Sequence, residues 1–186
     1  NIPVFAGLGG GTSNAAVILS YLLKKKVTAS LFREIESKIG SDFRLFFYNQ
    51  GYLKNLNQIT KLKKQELFFV LIQPQIKCST KKIYSEVKKF TKKAKLNLNI
   101  SNSKNKFLSF LSKNHNDLQV IVEKKYPILK KLLTDIENEK GCCFSRMTGS
   151  GSVCYGLFKD KIAAKKALNK LKTKYPKFWF SFAKTV

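Results

Sequence analysis

Apolar residues recur along the chain with two different periods. Residues 12–24, TSNAAVILSYLLK, are rich in Ala and Leu and predict a helix, with Thr12 or Ser13 as its N-cap. A second helix is expected over TASLFREIESKIG. Thr28 or Ser30 would cap it, Leu31, Ile35 and Ile39 share one face, and Gly40 ends it. SDFRLFF then reads as a turn leading into an extended segment. Residues 51–62 and 66–73 carry strand-like apolar runs separated by the polar KLKKQE. A domain boundary is placed there, dividing the chain into 1–64 and 65–186.

Beyond QPQIKCST the pattern turns helical. A basic helix is expected over 80–92, and the Asn- and Ser-rich KLNLNISNSKNK reads as a surface loop. Helices follow over 106–112, 116–123 and 127–138. CCFSRM and VCYGLF then flank TGSGS and predict two strands joined tightly. A helix over 160–172 and a strand over 177–185 close the chain. Strands and helices alternate without a βαβ rhythm, so the fold class is α+β.

Composition narrows the possibilities. Hydrophobic residues make up 44%, as in an ordinary globular protein, which excludes wholesale disorder. The longest uncharged apolar run, LFFVLI at 67–72, suits a buried strand and is far too short to span a bilayer. No secretory pattern is visible, and a cytoplasmic location is expected. The net charge of +25 raises the possibility of a nucleic-acid-binding module. The lysines, however, are spread along the chain at helical spacing and read as solvated faces.

Cys78, Cys142, Cys143 and Cys154 form no CxxC pair, and His115 is the sole histidine, so no zinc-type metal site is expected. The cysteines read as reduced and buried. Cys142 and Cys143 would point to opposite faces of a strand. His115 reads as a loop or cap residue. With Asn1 in first place and Met147 the sole methionine, the sequence is expected to be a fragment of a longer protein.

The densest chemical signal is GLGGGTSNAA at 7–16. Glycines admit close backbone approach and positive φ, and a loop opening onto a helix offers free N–H groups and the positive end of its dipole. Such a loop is a phosphate cradle, or else a plain connector. It is not a Walker A loop, because Gly11 is followed by Thr12 and no lysine occurs before Lys24. It is not a dinucleotide fingerprint, because Thr12 stands at the third glycine position and Pro3 interrupts the preceding segment.

IPVFAGLGGGTSNAA does resemble the phosphate-binding motif of the GHMP small-molecule kinases, Pro-x-x-x-Gly-Leu-Gly-Gly/Ser-Ser-x-Ala. Four other segments resemble that family in the same order: GSDFRLFF at 40–47, CSTKKIY at 78–84, NDLQ at 116–119 and RMTGSGSVCYGLF at 146–158. The departures are Phe43-Arg44 in place of Val-Pro, and Gln119 in place of Glu. The family's N-terminal strands, which carry its catalytic lysine, have no counterpart, so this chain alone is expected to show little or no activity.

The resemblance implies a two-domain α+β GHMP kinase fold. Residues 1–64 would be the remnant of a ribosomal-protein-like βαβ ATP-binding domain, and 65–186 a ferredoxin-like C-terminal domain. It implies ATP and magnesium (Mg2+) as cofactors and a small-molecule cytidylyl substrate, with no specific nucleic acid and no membrane. Pro3, Val4, Phe5, Ala6, Gly7, Leu8, Gly9, Gly10, Gly11, Thr12 and Ser13 would bind the ATP phosphates. Thr12 or Ser13 would help hold the metal, or merely cap the helix. Asp42 would be the catalytic base, against a reading as a solvated turn residue. Tyr84, Gly149, Ser150 and Gly151 would meet the substrate, although Tyr84 alone reads equally as core and the glycine loop as a hairpin turn. The alternatives are another GHMP kinase, of homoserine or mevalonate type, and the nucleic-acid module.

Overall fold

The computed structural model describes residues 3–22, 29–55, 58–91 and 102–185. They fall into two compact units, one of Gly9–Lys64 and one joining the residues through Leu8 to Gln65–Thr185.

The Gly9–Lys64 unit begins with α1 (Gly10–Leu22), followed by α2 (Ala29–Ile39) and a 3-10 turn at Phe43–Phe47. A hairpin of β1 (Gly51–Asn55) and β2 (Gln58–Lys61) completes it, with Tyr52 opposite Thr60. Its interior is aromatic. Phe32, Phe43 and Phe47 stand 5.2–5.5 Å apart between ring centroids, and Phe43 is wholly buried. The outer side of α1 is apolar and exposed at Val17, Ile18 and Leu22.

Three expectations are corrected here. Helix α1 starts at Gly10, so Thr12 and Ser13 lie inside its first turn and do not cap it. Ser30 likewise lies within α2, and Thr28 is outside the described residues. Phe43–Phe47 is helical rather than extended. Backbone bonds from Phe43 N to Gly40 O (3.1 Å) and Leu45 N to Asp42 O (3.0 Å) wind it, and aromatic burial fixes it.

The second unit is built on an antiparallel sheet of β3 (Phe68–Gln73), β4 (Cys142–Met147), β5 (Cys154–Phe158) and β6 (Trp179–Lys184). The spatial order is β4-β5-β3-β6, a ferredoxin-like arrangement. Central β3 pairs Val70 with Gly156 on one side and with Phe182 on the other. Val70, Ile72, Cys154 and Phe158 are buried beneath α5 (Asp117–Lys125), α6 (Pro127–Glu137) and α7 (Lys161–Lys174). Leu129, Leu132, Leu133 and Ile136 of α6 recur at helical spacing and supply its core stripe.

Two further helices, α3 (Thr80–Ser85) and α4 (Lys104–Lys113), flank this core. The basic helix expected over 80–92 stops at Ser85. Thr91 is held away from the helical path, its N and Oγ1 donating to Asp117 Oδ2 at 3.0 and 3.3 Å. The expected loop at 95–106 lies outside the described residues through 101, and its last residues begin α4. A register shift between Cys142 and Phe144 breaks strict alternation, leaving Cys142 half-buried and Cys143 exposed. Burial raises the Cys142 thiol to about 12 and also pushes Cys154 up, so neither is a thiolate near neutral pH. Cys78 and Cys154 are buried and, like the other two cysteines, unbridged.

Helices α6 and α7 are tied together at Asp135. It accepts a hydrogen bond from the Tyr175 hydroxyl and pairs with Lys174 Nζ at 2.8 Å. Burial pushes the Asp135 carboxyl up, but the Lys174 and Tyr175 hydrogen bonds outweigh it and hold it below its ordinary value. A carboxyl with a lowered folded-state value stabilises the fold above its unfolded value, and loses that contribution as pH falls through the folded one. Asp135→Asn is therefore expected to lower the melting temperature at pH 6–7 relative to the parent. The gap should close as pH falls below about 4, the ordinary carboxyl range. Thermal melts of both proteins across that range check this; a gap independent of pH would contradict it.

Candidate active site

In the sheet-containing unit, the loop between β4 and β5 is held by side chains from distant segments. Asn116 donates from Nδ2 to Met147 O (2.9 Å) and Gly149 O (2.8 Å). Its Oδ1 accepts from Leu118 N at 3.0 Å, so the same residue caps α5. Gln119 Oε1 accepts from Met147 N at 2.9 Å. Ser150 is buried, with its hydroxyl 2.9 Å from that of Thr80. Gly151 N closes the turn onto Thr148 O at 2.9 Å.

The segment Pro3–Leu8 docks on this loop. Ser152 N donates to Phe5 O (3.0 Å), Val153 N to Ala6 O (3.3 Å), and Thr148 Oγ1 to Gly7 O (3.0 Å). Buried Gln73 adds Nε2 bonds to Val4 O and Phe5 O at 3.1 and 3.3 Å. These bonds hold Phe5 at φ 56, a conformation that costs a side-chain-bearing residue roughly 1–2 kcal/mol. Gly7 and Gly149 meet backbone to backbone. A Cβ on Gly7 would lie 2.4 Å from Thr148 O, and one on Gly149 would lie 2.7 Å from Gly7 O. Both have positive φ, +68 and +51, so glycine is required twice over.

Beside this loop opens a cavity of about 400 Å³, lined by Tyr84, Phe90, His115, Asn116, Gly149 and Tyr155 among others. Tyr84 is 53% exposed, so it faces the cavity rather than the core. The structure thus brings Tyr84 and Gly149 to one opening, with Ser150 and Gly151 in the same loop.

In the Gly9–Lys64 unit, Gly9 to Ser13 form the entry to α1. Ser13 N makes the first helical bond, to Gly9 O at 2.8 Å. The N–H groups of Gly10, Gly11 and Thr12 therefore have no acceptor within the helix. Asp42 Oδ2 lies 3.5 Å from where a Cβ on Gly9 would stand. Among the described residues the Asp42 carboxylate has no hydrogen-bond or ion-pair partner, and neither do the hydroxyls of Thr12 and Ser13. Pro3 to Leu8 belong to the other unit, and Gly9 to Ser13 to this one.

Asn116, Gln119, Gln73 and Thr80 received no role from the sequence. NDLQ and CSTKKIY stood out as segments, but nothing in their spacing tells which distant backbone atoms they bind. The Gln119 departure is explained, since its amide oxygen accepts the Met147 N–H as a carboxylate oxygen would.

This fold and loop chemistry define a class of small-molecule kinases. The family described as GHMP kinases, C terminal, matches residues 96–177. A crystal structure of 4-(cytidine 5'-diphospho)-2C-methyl-D-erythritol kinase superposes with a TM-score of 0.72 at 22% identity, covering 98% of this chain and 68% of that one. Homoserine kinase from Cytophaga hutchinsonii shares the fold at a TM-score of 0.63 and 14% identity, covering 100% and 67%.

Closer in sequence is 4-diphosphocytidyl-2-C-methyl-D-erythritol kinase of Pelagibacter ubique, 34% identical over 191 residues, covering 100% of this chain and 67% of the relative. The enzyme of that name from Bartonella bacilliformis is 32% identical over 190 residues, covering 96% and 62%. The chain belongs to the 4-diphosphocytidyl-2-C-methyl-D-erythritol kinase family. It spans between 54% and 67% of the length of the curated relatives it matches.

Proposed function

We propose that this chain is the larger part of an ATP-dependent kinase that phosphorylates the 2-hydroxyl of 4-diphosphocytidyl-2-C-methyl-D-erythritol, a cytoplasmic step of non-mevalonate isoprenoid precursor synthesis. The observation that carries this reading is the entry to α1. Three N–H groups lack helical acceptors there, and an unpartnered carboxylate stands beside Gly9. The family relationship supports the same reading.

In this mechanism Gly7 to Ser13 bind the ATP phosphates through backbone N–H groups and the helix dipole, and Pro3 to Ala6 brace that loop. Phosphoryl transfer needs the alcohol aligned in line with the γ-phosphate and relieved of its proton. Asp42 accepts that proton as the oxygen–phosphorus bond forms and ADP leaves. Tyr84 stacks on the cytosine ring, and Gly149 to Gly151 border the substrate. Residues 1–64 serve as the remnant of the ATP-binding domain, with Pro3–Leu8 packed in the sheet-containing unit, and 65–186 as the C-terminal domain.

The donor set also fits magnesium. Among the described residues no three His, Cys, Asp or Glu side chains cluster, while Thr12 and Ser13 offer hydroxyls in the first turn of α1. A hard cation held largely by phosphate oxygens and water needs no more than such a hydroxyl. When bound, it would neutralise charge on the transferring phosphoryl group.

Gly11→Ala tests the phosphate loop. Gly11 lies in α1 with nothing within 4 Å of an added Cβ. The substitution is expected to raise stability by about 1 kcal/mol, as Gly-to-Ala changes in helices do. It should nevertheless weaken ATP binding, because the methyl group takes the space of an approaching phosphate. Chemical denaturation and nucleotide titration read the two effects separately; a stabilised variant with parental ATP affinity would refute the assignment. Turnover of the cytidylyl substrate against homoserine and mevalonate tests the substrate.

A further inference from the structure

Asp42 has to be aimed, and no side-chain bond among the described residues aims it. Its orientation is therefore inherited from the backbone, at φ −91 and ψ −3, at the head of the Phe43–Phe47 turn. That turn is pinned immediately after Asp42. Phe43 is wholly buried between Phe32 and Phe47. Arg44 reaches back to α2, with Nε and Nη2 at 2.7 and 2.6 Å from Glu36 Oε2 and its guanidinium 5.5 Å from the Phe32 ring centre.

The Glu36 side chain is only 11% exposed. A carboxylate at that depth carries a desolvation cost that a surface pair avoids, and losing one partner leaves the other charge uncompensated. Its Oε1 is buried and without a partner among the described residues, so Arg44 is the neutralising charge in view. The ion pair ties α2 to the turn that begins directly after Asp42.

We propose that Arg44, clamped by Glu36, is a positioning residue for the Asp42 carboxylate, taking over the task of a rigid residue at that place in the turn. The proposal rests on the reading of Asp42 as the proton acceptor. A misaimed base costs turnover rather than affinity, so in the protein as its gene encodes it Arg44→Met is expected to lower kcat roughly tenfold with KM for both substrates nearly unchanged. Glu36→Gln should do the same, and the double variant should lose no more than either single change, because both remove one clamp. Arg44→Lys keeps a charge that can reach Oε2 and should restore most of the loss.

The Asp42 carboxyl carbon resonance gives a readout independent of turnover. It should shift in Arg44→Met and return towards the parental position in Arg44→Lys. Parental kcat in Arg44→Met, losses that multiply in the double variant, or an unmoved Asp42 resonance would each overturn the proposal. Should Arg44→Met not fold, Arg44→Lys and Glu36→Gln answer the same questions. A parent protein that transfers no phosphoryl group would refute the proposed function instead, while the resonance still decides whether Arg44 sets Asp42.

Discussion

Asp42→Asn is expected to reduce kcat roughly a thousandfold, within the usual contribution of general acid–base catalysis, while leaving KM for ATP and the cytidylyl alcohol close to parental. The amide keeps the size of the side chain and removes its capacity to take a proton. The substitution is well suited to kinetics because the carboxylate makes no hydrogen bond or ion pair among the described residues. No folded-state contact is lost with the charge, so melting temperature should stay within a degree or two, as for surface changes away from packed features. Steady-state kinetics with parallel thermal melts separate the outcomes. A variant with parental kcat would show that Asp42 is a turn residue and that the proton is accepted elsewhere.

Gly7→Ala carries the second large effect, and here the loss is structural. The added methyl group would lie 2.4 Å from Thr148 O and 3.0 Å from Gly151 N and O, all backbone atoms of a loop fixed by Asn116 and Gln119. No rotamer relieves such a clash. Adding the strain of positive φ to that of overpacking, the cost is about 2–4 kcal/mol, a fall on the order of 10 °C in melting temperature for a chain of this size. Thr148→Val sets the scale. It removes only the hydroxyl bond to Gly7 O and should cost about 1 kcal/mol. Thermal or denaturant unfolding of the two variants checks the ranking, and equal losses would mean that the close approach is not what matters.

What could be read from the chain followed its periodic parts. Pro127 at the start of α6 and its four buried positions announce that helix directly. CCFSRM and VCYGLF, short runs on either side of the turn residues TGSGS, are enough to place β4 and β5. The Phe43–Phe47 turn is not legible in the sequence because FRLFF has the composition of a strand. The bonds that wind it start at Gly40 and Asp42, and the packing that fixes it comes from Phe32 on another helix. The same holds in the candidate site. Glycines advertise themselves, whereas Asn116 and Gln73 act across 31 and 69 residues on backbone atoms that no spacing rule identifies. Phe43 and Arg44, departures from the family pattern in sequence, prove to be the two anchors of the turn in space.

The bond from Thr148 to Gly7 has a consequence for how the protein is made. Its partners are 141 residues apart. At ordinary synthesis rates of 5–20 residues per second, Gly7 is added to the chain roughly 7–28 s before its partner exists. Closing so long a loop costs entropy before any contact repays it, which places the step late on the folding path. The first half of the glycine loop is thus an early-synthesised segment with a late-arriving template, and a nascent chain lacking the β4–β5 hairpin cannot yet hold it.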